Sequence, residues 1–130
     1  LETDTIKLAL VTSSATLAVT DADPRWGAGG STNLSTNEVT PGGNYSTGGA
    51  TIANPSVTLV SNKGQFDGDD VSITQDASNP TNARRGVIYN DTAAGKNAIG
   101  FLDLGSDIDL SAGDFSVAWN ASGISTLGAA

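Results

Sequence analysis

Cysteine, histidine and methionine are absent from the 130 residues, and only six residues are Lys or Arg. Without cysteine there is no disulfide framework and no thiolate metal site, and cysteine usage says nothing about the redox compartment. Without histidine the chain lacks the usual general base, the commonest metal ligand and the partner of serine triads. Aromatic residues make up only 5% and glycine occurs 16 times, so the core has to be thin and built from Val, Ile, Leu and Ala. The 14 acidic residues set a formal charge of -8. That balance excludes a nucleic-acid surface, where phosphate contacts need clustered Lys and Arg; the only adjacent basic pair is Arg84-Arg85. Acidity of this size keeps an exposed protein soluble. No apolar run approaches the ~20 residues needed to cross a bilayer, and the opening LETDTIKLAL lacks the basic region and apolar core of a signal peptide. The expectation is a protein with no membrane partner. Its first residue is Leu1 rather than Met, which points to leading residues cut, processed or left out.

What is present is strand and turn chemistry, most densely over residues 84–119. Val87, Ile88 and Tyr89 are β-branched and aromatic, Asn90, Asp91 and Gly95 break the run, residues 99–104 resume it, and Phe115, Val117 and Trp119 alternate with polar or small residues. The pattern predicts a β-hairpin followed by a third antiparallel strand. Upstream, Ile6, Leu8 and Leu10 share one face of a first strand and Lys7, Ala9 and Val11 the other. Residues 16–20 read as a short strand or an extended arm, stopped at Pro24, since proline cannot donate to a ladder. Residues 26–49 turn to Gly, Ser, Thr and Asn, with Trp26 and Tyr45 inside. A structureless loop longer than ~12–15 residues is usually functional or disordered, and aromatics stranded in one point to packing on the sheet or on another chain. Residues 50–52, 57–61 and 71–74 read as further strands, and beyond Leu127 the chain is expected to fray.

Nowhere do apolar residues recur at i, i+3, i+4 and i+7 over two turns, so the class is all-β with little or no helix. The length sets one domain. Short strands at intervals of roughly ten residues predict a small antiparallel sandwich or barrel carrying the 26–49 loop as an arm. The expected interior is Ile6, Leu8, Leu10, Val57, Leu59, Val71, Ile73, Val87, Tyr89, Ile99, Phe101, Phe115, Val117 and Trp119.

Four groups of residues invite a chemical reading. Asp67, Asp69 and Asp70 beside Gly68 gather oxygen ligands of the kind calcium takes, but an EF-hand loop starting at Asp67 has Ser72 and Ser78 where glycine and glutamate belong. A solvated acidic turn is the simpler account. Asp103, Asp107, Asp109 and Asp114 contain pairs with a glycosidase flavour, yet a thin, glycine-rich domain offers neither a deep groove nor aromatic platforms. Serines with Lys7, Lys63 and Lys96 permit a Ser-Lys nucleophile, with no G-x-S-x-G or S-x-x-K spacing to single one out. Asn90 and Asn120 head N-x-[S/T] triplets, a match that chance explains in a chain so rich in Asn, Ser and Thr. The expectation is a protein that is no enzyme and holds no cofactor and no metal.

The strand-and-turn runs at residues 4–12 (DTIKLALVT), 37–60, 66–73 (FDGDDVSI), 83–107 and 113–127 resemble, in that order, a family of small phage structural proteins that serve as head decoration or cement proteins. The resemblance covers nearly the whole chain, although family members carry a short extension before the first strand. It implies a noncatalytic virion protein on the outer surface of the capsid, binding the major capsid protein, repeated around local symmetry axes as a homo-oligomer, a trimer ahead of a dimer. Under that reading, contact with the shell or a neighbouring subunit falls to Trp26, Tyr45, the turns at Gly42, Gly43, Gly48 and Gly49, and Arg25, Arg84 and Arg85 as charge partners. A tail or baseplate component is the nearest alternative. A carbohydrate-binding β-sandwich module is a third, and it requires exposed, coplanar aromatics.

Overall fold

A computed structural model describes residues 1–127, so the fraying expected beyond Leu127 lies outside the described residues. The fold is all-β. Its central sheet contains β1 (Ile6–Val11), β4 (Ala50–Ile52), β8 (Ala83–Asn90) and β9 (Ala98–Ile108), ordered β4-β1-β8-β9 and antiparallel throughout. A second sheet has the order β11-β6-β5, from β5 (Ser56–Val60), β6 (Lys63–Asp67) and β11 (Ser125–Leu127). β7 (Val71–Ile73) pairs with β10 (Phe115–Val117), and β2 (Pro24–Arg25) runs parallel to β3 (Thr32–Asn33). One 3-10 turn spans Leu34–Asn37. The sheets do not close into a barrel, because β4 and β9 end the central sheet without meeting.

The hairpin predicted from residues 84–104 is β8 and β9, registered through Val87 and Phe101. Its turn is set by Asn90, whose Oδ1 accepts the N–H groups of Thr92 and Ala93, both at 3.0 Å. The third strand is antiparallel, as expected, and its partner lies outside the hairpin. The β8–β9 register slips between the Ala83–Ile108 and Arg85–Asp103 pairs, where Gly105 takes φ +82° and donates its N–H to Asp103 Oδ1 at 2.9 Å. A bulge of this kind bends the strand and ends regular pairing. The chain then crosses over, the Leu110 N–H meeting the Pro80 carbonyl at 2.9 Å, and β10 pairs with β7 in another layer.

β1 is buried at every position but Lys7 because the central sheet is covered on both faces. On one face Ala9, Val11, Val87 and Tyr89 pack against Ala15, Trp26 and Leu34 from the segment between β1 and β4. On the other, Ile6, Leu8 and Ile88 meet Phe66 and Val71. A third cluster joins Leu10, Val39 and Tyr45 to Ile73, Leu110 and Phe115. Of the expected interior, Val57, Leu59 and Ile99 are instead exposed, and Phe101, Val117 and Trp119 are half-buried. β5 and β9 stand at the ends of their sheets, and none of the three core clusters takes in Val57, Leu59 or Ile99.

Candidate functional site

The 26–49 segment was expected as an arm held away from the scaffold; it is folded down on the central sheet and stitched there residue by residue. At its start the Asp23 carboxylate takes the Arg25 guanidinium in a forked ion pair, Nη2 to Oδ2 at 2.7 Å and Nε to Oδ2 at 2.9 Å. This bond holds the Asp23 carboxyl below its usual range and raises the Arg25 guanidinium. The pair aims the chain so that the Trp26 indole stacks on Tyr89. Next, Asn33 caps the short 3-10 turn, its side chain accepting the Ser35 N–H at 3.1 Å, and the turn buries Leu34.

Further along, Gly42 and Tyr45 exchange two backbone hydrogen bonds at 3.0 Å around Gly43, which takes φ +57°. This tight turn drives Tyr45 inward. Its hydroxyl accepts the Leu10 N–H at 2.9 Å and donates to Glu38 Oε1 at 3.0 Å. Burial raises the Tyr45 phenol, and the Glu38 carboxylate reinforces the shift. Glu38 Oε1 also accepts the Gly48 N–H at 2.6 Å, while the Gly48 carbonyl accepts the Tyr89 hydroxyl at 2.8 Å. Gly49, at φ +84°, then lies directly over the backbone of Leu8 and Ala9.

Trp26 and Tyr45 are therefore core residues, 6% and 2% exposed, and neither presents a ring to a partner. Of the two accounts open for stranded aromatics, intrachain packing is the one the structure shows. Gly48 is buried, Gly42 and Gly49 are half-buried, and Gly43 alone of the four is exposed. The arginines are engaged as well. Arg84 pairs with Asp103 at 2.6 Å and Arg85 donates to the Ala15 carbonyl at 2.7 Å, so all three cations expected as charge partners already hold ligands within the chain.

Between the folded arm and the β8–β9 turn lies an open cleft of about 560 Å³, lined among others by Trp26, Ala28, Glu38, Thr47 and Lys96. Its charges are balanced locally. Asp91 takes Lys96 at 2.7 Å and Lys7 at 3.3 Å, and these bonds, that to Lys96 foremost, lower its carboxyl. Glu38 is committed to Tyr45 and Gly48. The cleft thus offers a shaped, polar-rimmed surface whose ionisable groups are already satisfied. Reading the sequence missed Glu38 and Asp91 as organising groups, since a single carboxylate in a loop carries no pattern until its donors are placed in space.

The acidic turn does not assemble a cation site. Asp67 Oδ1 accepts the Gly68 N–H at 2.9 Å, Asp69 Oδ2 the Asn54 amide at 2.7 Å and Asp70 Oδ1 the Trp119 N–H at 2.9 Å. Each carboxylate points to a different donor, and no metal-ligating cluster occurs among the described residues. Asp103, Asp109 and Asp114 are likewise separated, holding Gly105, Ser111 and Gln75 in turn. As for Asn90 and Asn120, Asn90 is bound through both ends of its amide, the Nδ2 to Asp4 at 2.6 Å, whereas Asn120 is exposed.

No protein-family model, no curated protein and no solved structure matches this chain.

Proposed function

We propose that the protein is a noncatalytic decoration protein that binds the outer surface of a phage head and stabilises the mature shell. The observation that carries this reading is the ordered run of strand and turn segments resembling that family. In the fold those segments hold β1, β4, β5, β7, β8, β10 and β11 whole, β9 but for Ile108, and only Phe66 and Asp67 of β6. The charge of -8 agrees with an exposed layer kept clear of packaged DNA. Binding a site that exists only in the mature arrangement of capsid subunits would favour that arrangement by linkage, and many weak copies suffice.

The folded arm changes which residues carry the contact. Trp26 and Tyr45 anchor the arm and Arg25 pins its start, Arg84 and Arg85 stand on β8 with partners of their own, and the outer turns of the arm, Ala28 and residues 43–47 except Tyr45, face outward. Removing residues 27–48 as a block is no test of contact, because it strips Leu34, Val39 and Tyr45 from the core. Ala28→Arg combined with Thr47→Arg keeps the core intact. On heads purified without the protein, the wild type should decorate the shell in an electron cryomicroscopy map. The double variant, with an unchanged melt, should lose most of that occupancy. A wild type that leaves heads bare and is found on tails would overturn the head assignment in favour of a tail or baseplate component. The carbohydrate-binding alternative loses its platform, since Trp26 and Tyr45 are buried and Trp119 gives its indole N–H to the Asp69 carbonyl at 2.9 Å.

A further inference from the structure

β5 and β9 each end a sheet, so among the described residues no strand lies beside one side of each; on β5 the Val57 N–H is met there by the Glu2 carboxylate at 3.0 Å, and the outer side of Leu59 carries no such contact. Free edges of this kind are templates for pairing with another chain, and these two are opposite in shape. Along β5, Val57 and Leu59 project to one face and Val60 to the other, exposed by 44%, 77% and 48%. Along β9, the backbone at residues 99–101 is flanked by a hollow on each face. The hollow on the arm side, about 420 Å³, is lined by Val19, Asp21, Pro24 and Phe101. The other, about 260 Å³, is lined by Ile88, Leu102, Trp119 and Ile124. A Cβ built on Gly100 meets nothing within 4 Å, which leaves the edge open between them.

The charges match as the shapes do. Lys63, cross-strand partner of Val60, makes no ion pair among the described residues, and Asp21 in the arm-side hollow accepts the Ser31 hydroxyl but no cation. We propose that β5 of one copy adds to the free edge of β9 of a second copy, its alternating apolar side chains entering the two hollows and Lys63 meeting Asp21. The added strand ends where the Gly105 bulge and the exposed Asp103 and Asp107 interrupt the edge, a device that limits pairing. β5 against a second β5 is disfavoured, because projection meets projection and Lys63 meets Lys63. Each copy then carries one donor edge and one acceptor edge, so the contact is head-to-tail and builds a ring where the rotation closes. This inference stands whether or not the protein binds heads.

Sedimentation velocity on the full chain tests it. The wild type is expected to form species of more than one chain. Leu59→Asp, which spoils the donor edge, and Ile99→Asp, which spoils the acceptor edge, are each expected to weaken association at least tenfold while keeping the wild-type circular dichroism and melt. An equimolar mixture of the two variants is the diagnostic: one good donor and one good acceptor remain, so a discrete dimer should appear. A wild type that stays monomeric at its solubility limit overturns the proposal. So does a single variant that associates as tightly as the wild type, or a mixture that stays monomeric. Should either variant lose its fold, Val60→Lys replaces Leu59→Asp and Gly100→Lys replaces Ile99→Asp, with the same outcomes required.

Discussion

The indole of Trp26 lies stacked on the phenol of Tyr89, ring centroids 5.1 Å apart and planes inclined by 16°. The contact joins the arm to the middle of the central sheet, and Tyr89 extends it by donating its hydroxyl to the Gly48 carbonyl. One pair of rings thus holds the arm at both its beginning and its end. Trp26→Ala should cost about 3–5 kcal/mol, the usual loss for deleting a large buried aromatic. Chemical denaturation read by circular dichroism measures it, and a loss below about 1 kcal/mol would mean that the arm is not part of the cooperative unit.

Tyr45 and Tyr89 are the only tyrosines, and burial raises both phenols above their ordinary value. A folded-state pKa raised above the unfolded value near ~10 gives stability that is fully present below that pH and is lost as the pH climbs towards the folded values. Tyrosinate absorbance should therefore rise only together with unfolding. A tyrosine that titrates near its free value while the fold persists would contradict the burial.

Gly49→Ala should destabilise by more than about 1–2 kcal/mol, since the residue is left-handed at φ +84° and its new Cβ would strike the Leu8 carbonyl. Gly113→Ala is the control. A Cβ there meets nothing within 4 Å, and the change should stay within about 0.5 kcal/mol. Thermal melts of the two variants side by side check the difference.

The Lys96 and Lys7 ammonium groups lower the Asp91 carboxyl. Its contribution is present above the unfolded value of ~3.9 and is lost as the pH falls through the lower folded value. Asp91→Asn should cost roughly 1 kcal/mol at neutral pH, the scale of partly exposed ion pairs. The gap between variant and wild-type melting temperatures should close in acid. A gap that persists at low pH would assign the loss to packing instead.

Much of the scaffold was legible in the chain. β-branched runs at Ile6–Val11 and Ala83–Asn90, bounded by turn residues, identify strands without a structure. Partner choice and layering were not legible. Val57 and Leu59 alternate just as Ile6 and Leu8 do, and alternation tells which side chains share a face, not whether anything covers that face. The same limit hid Ala9 and Val11, whose outer face is closed by the arm. It also made Trp26 and Tyr45 look available: their binding partners, Tyr89 and the Leu10 backbone, lie 63 and 35 residues away in sequence.

The central position of β1 has a consequence for how the protein is made. Its neighbours are β4 and β8, and the pair closing the β1–β8 ladder is Ile6 with Asn90. Contacts of such separation are slow to form, because the loop between them must be ordered before they reward it. During synthesis β4 emerges first, but the other edge of β1 has no strand to pair with until β8 has left the ribosome. The six residues of β1, apolar but for Lys7, keep that edge open while the intervening residues are made, which exposes the segment to misassociation.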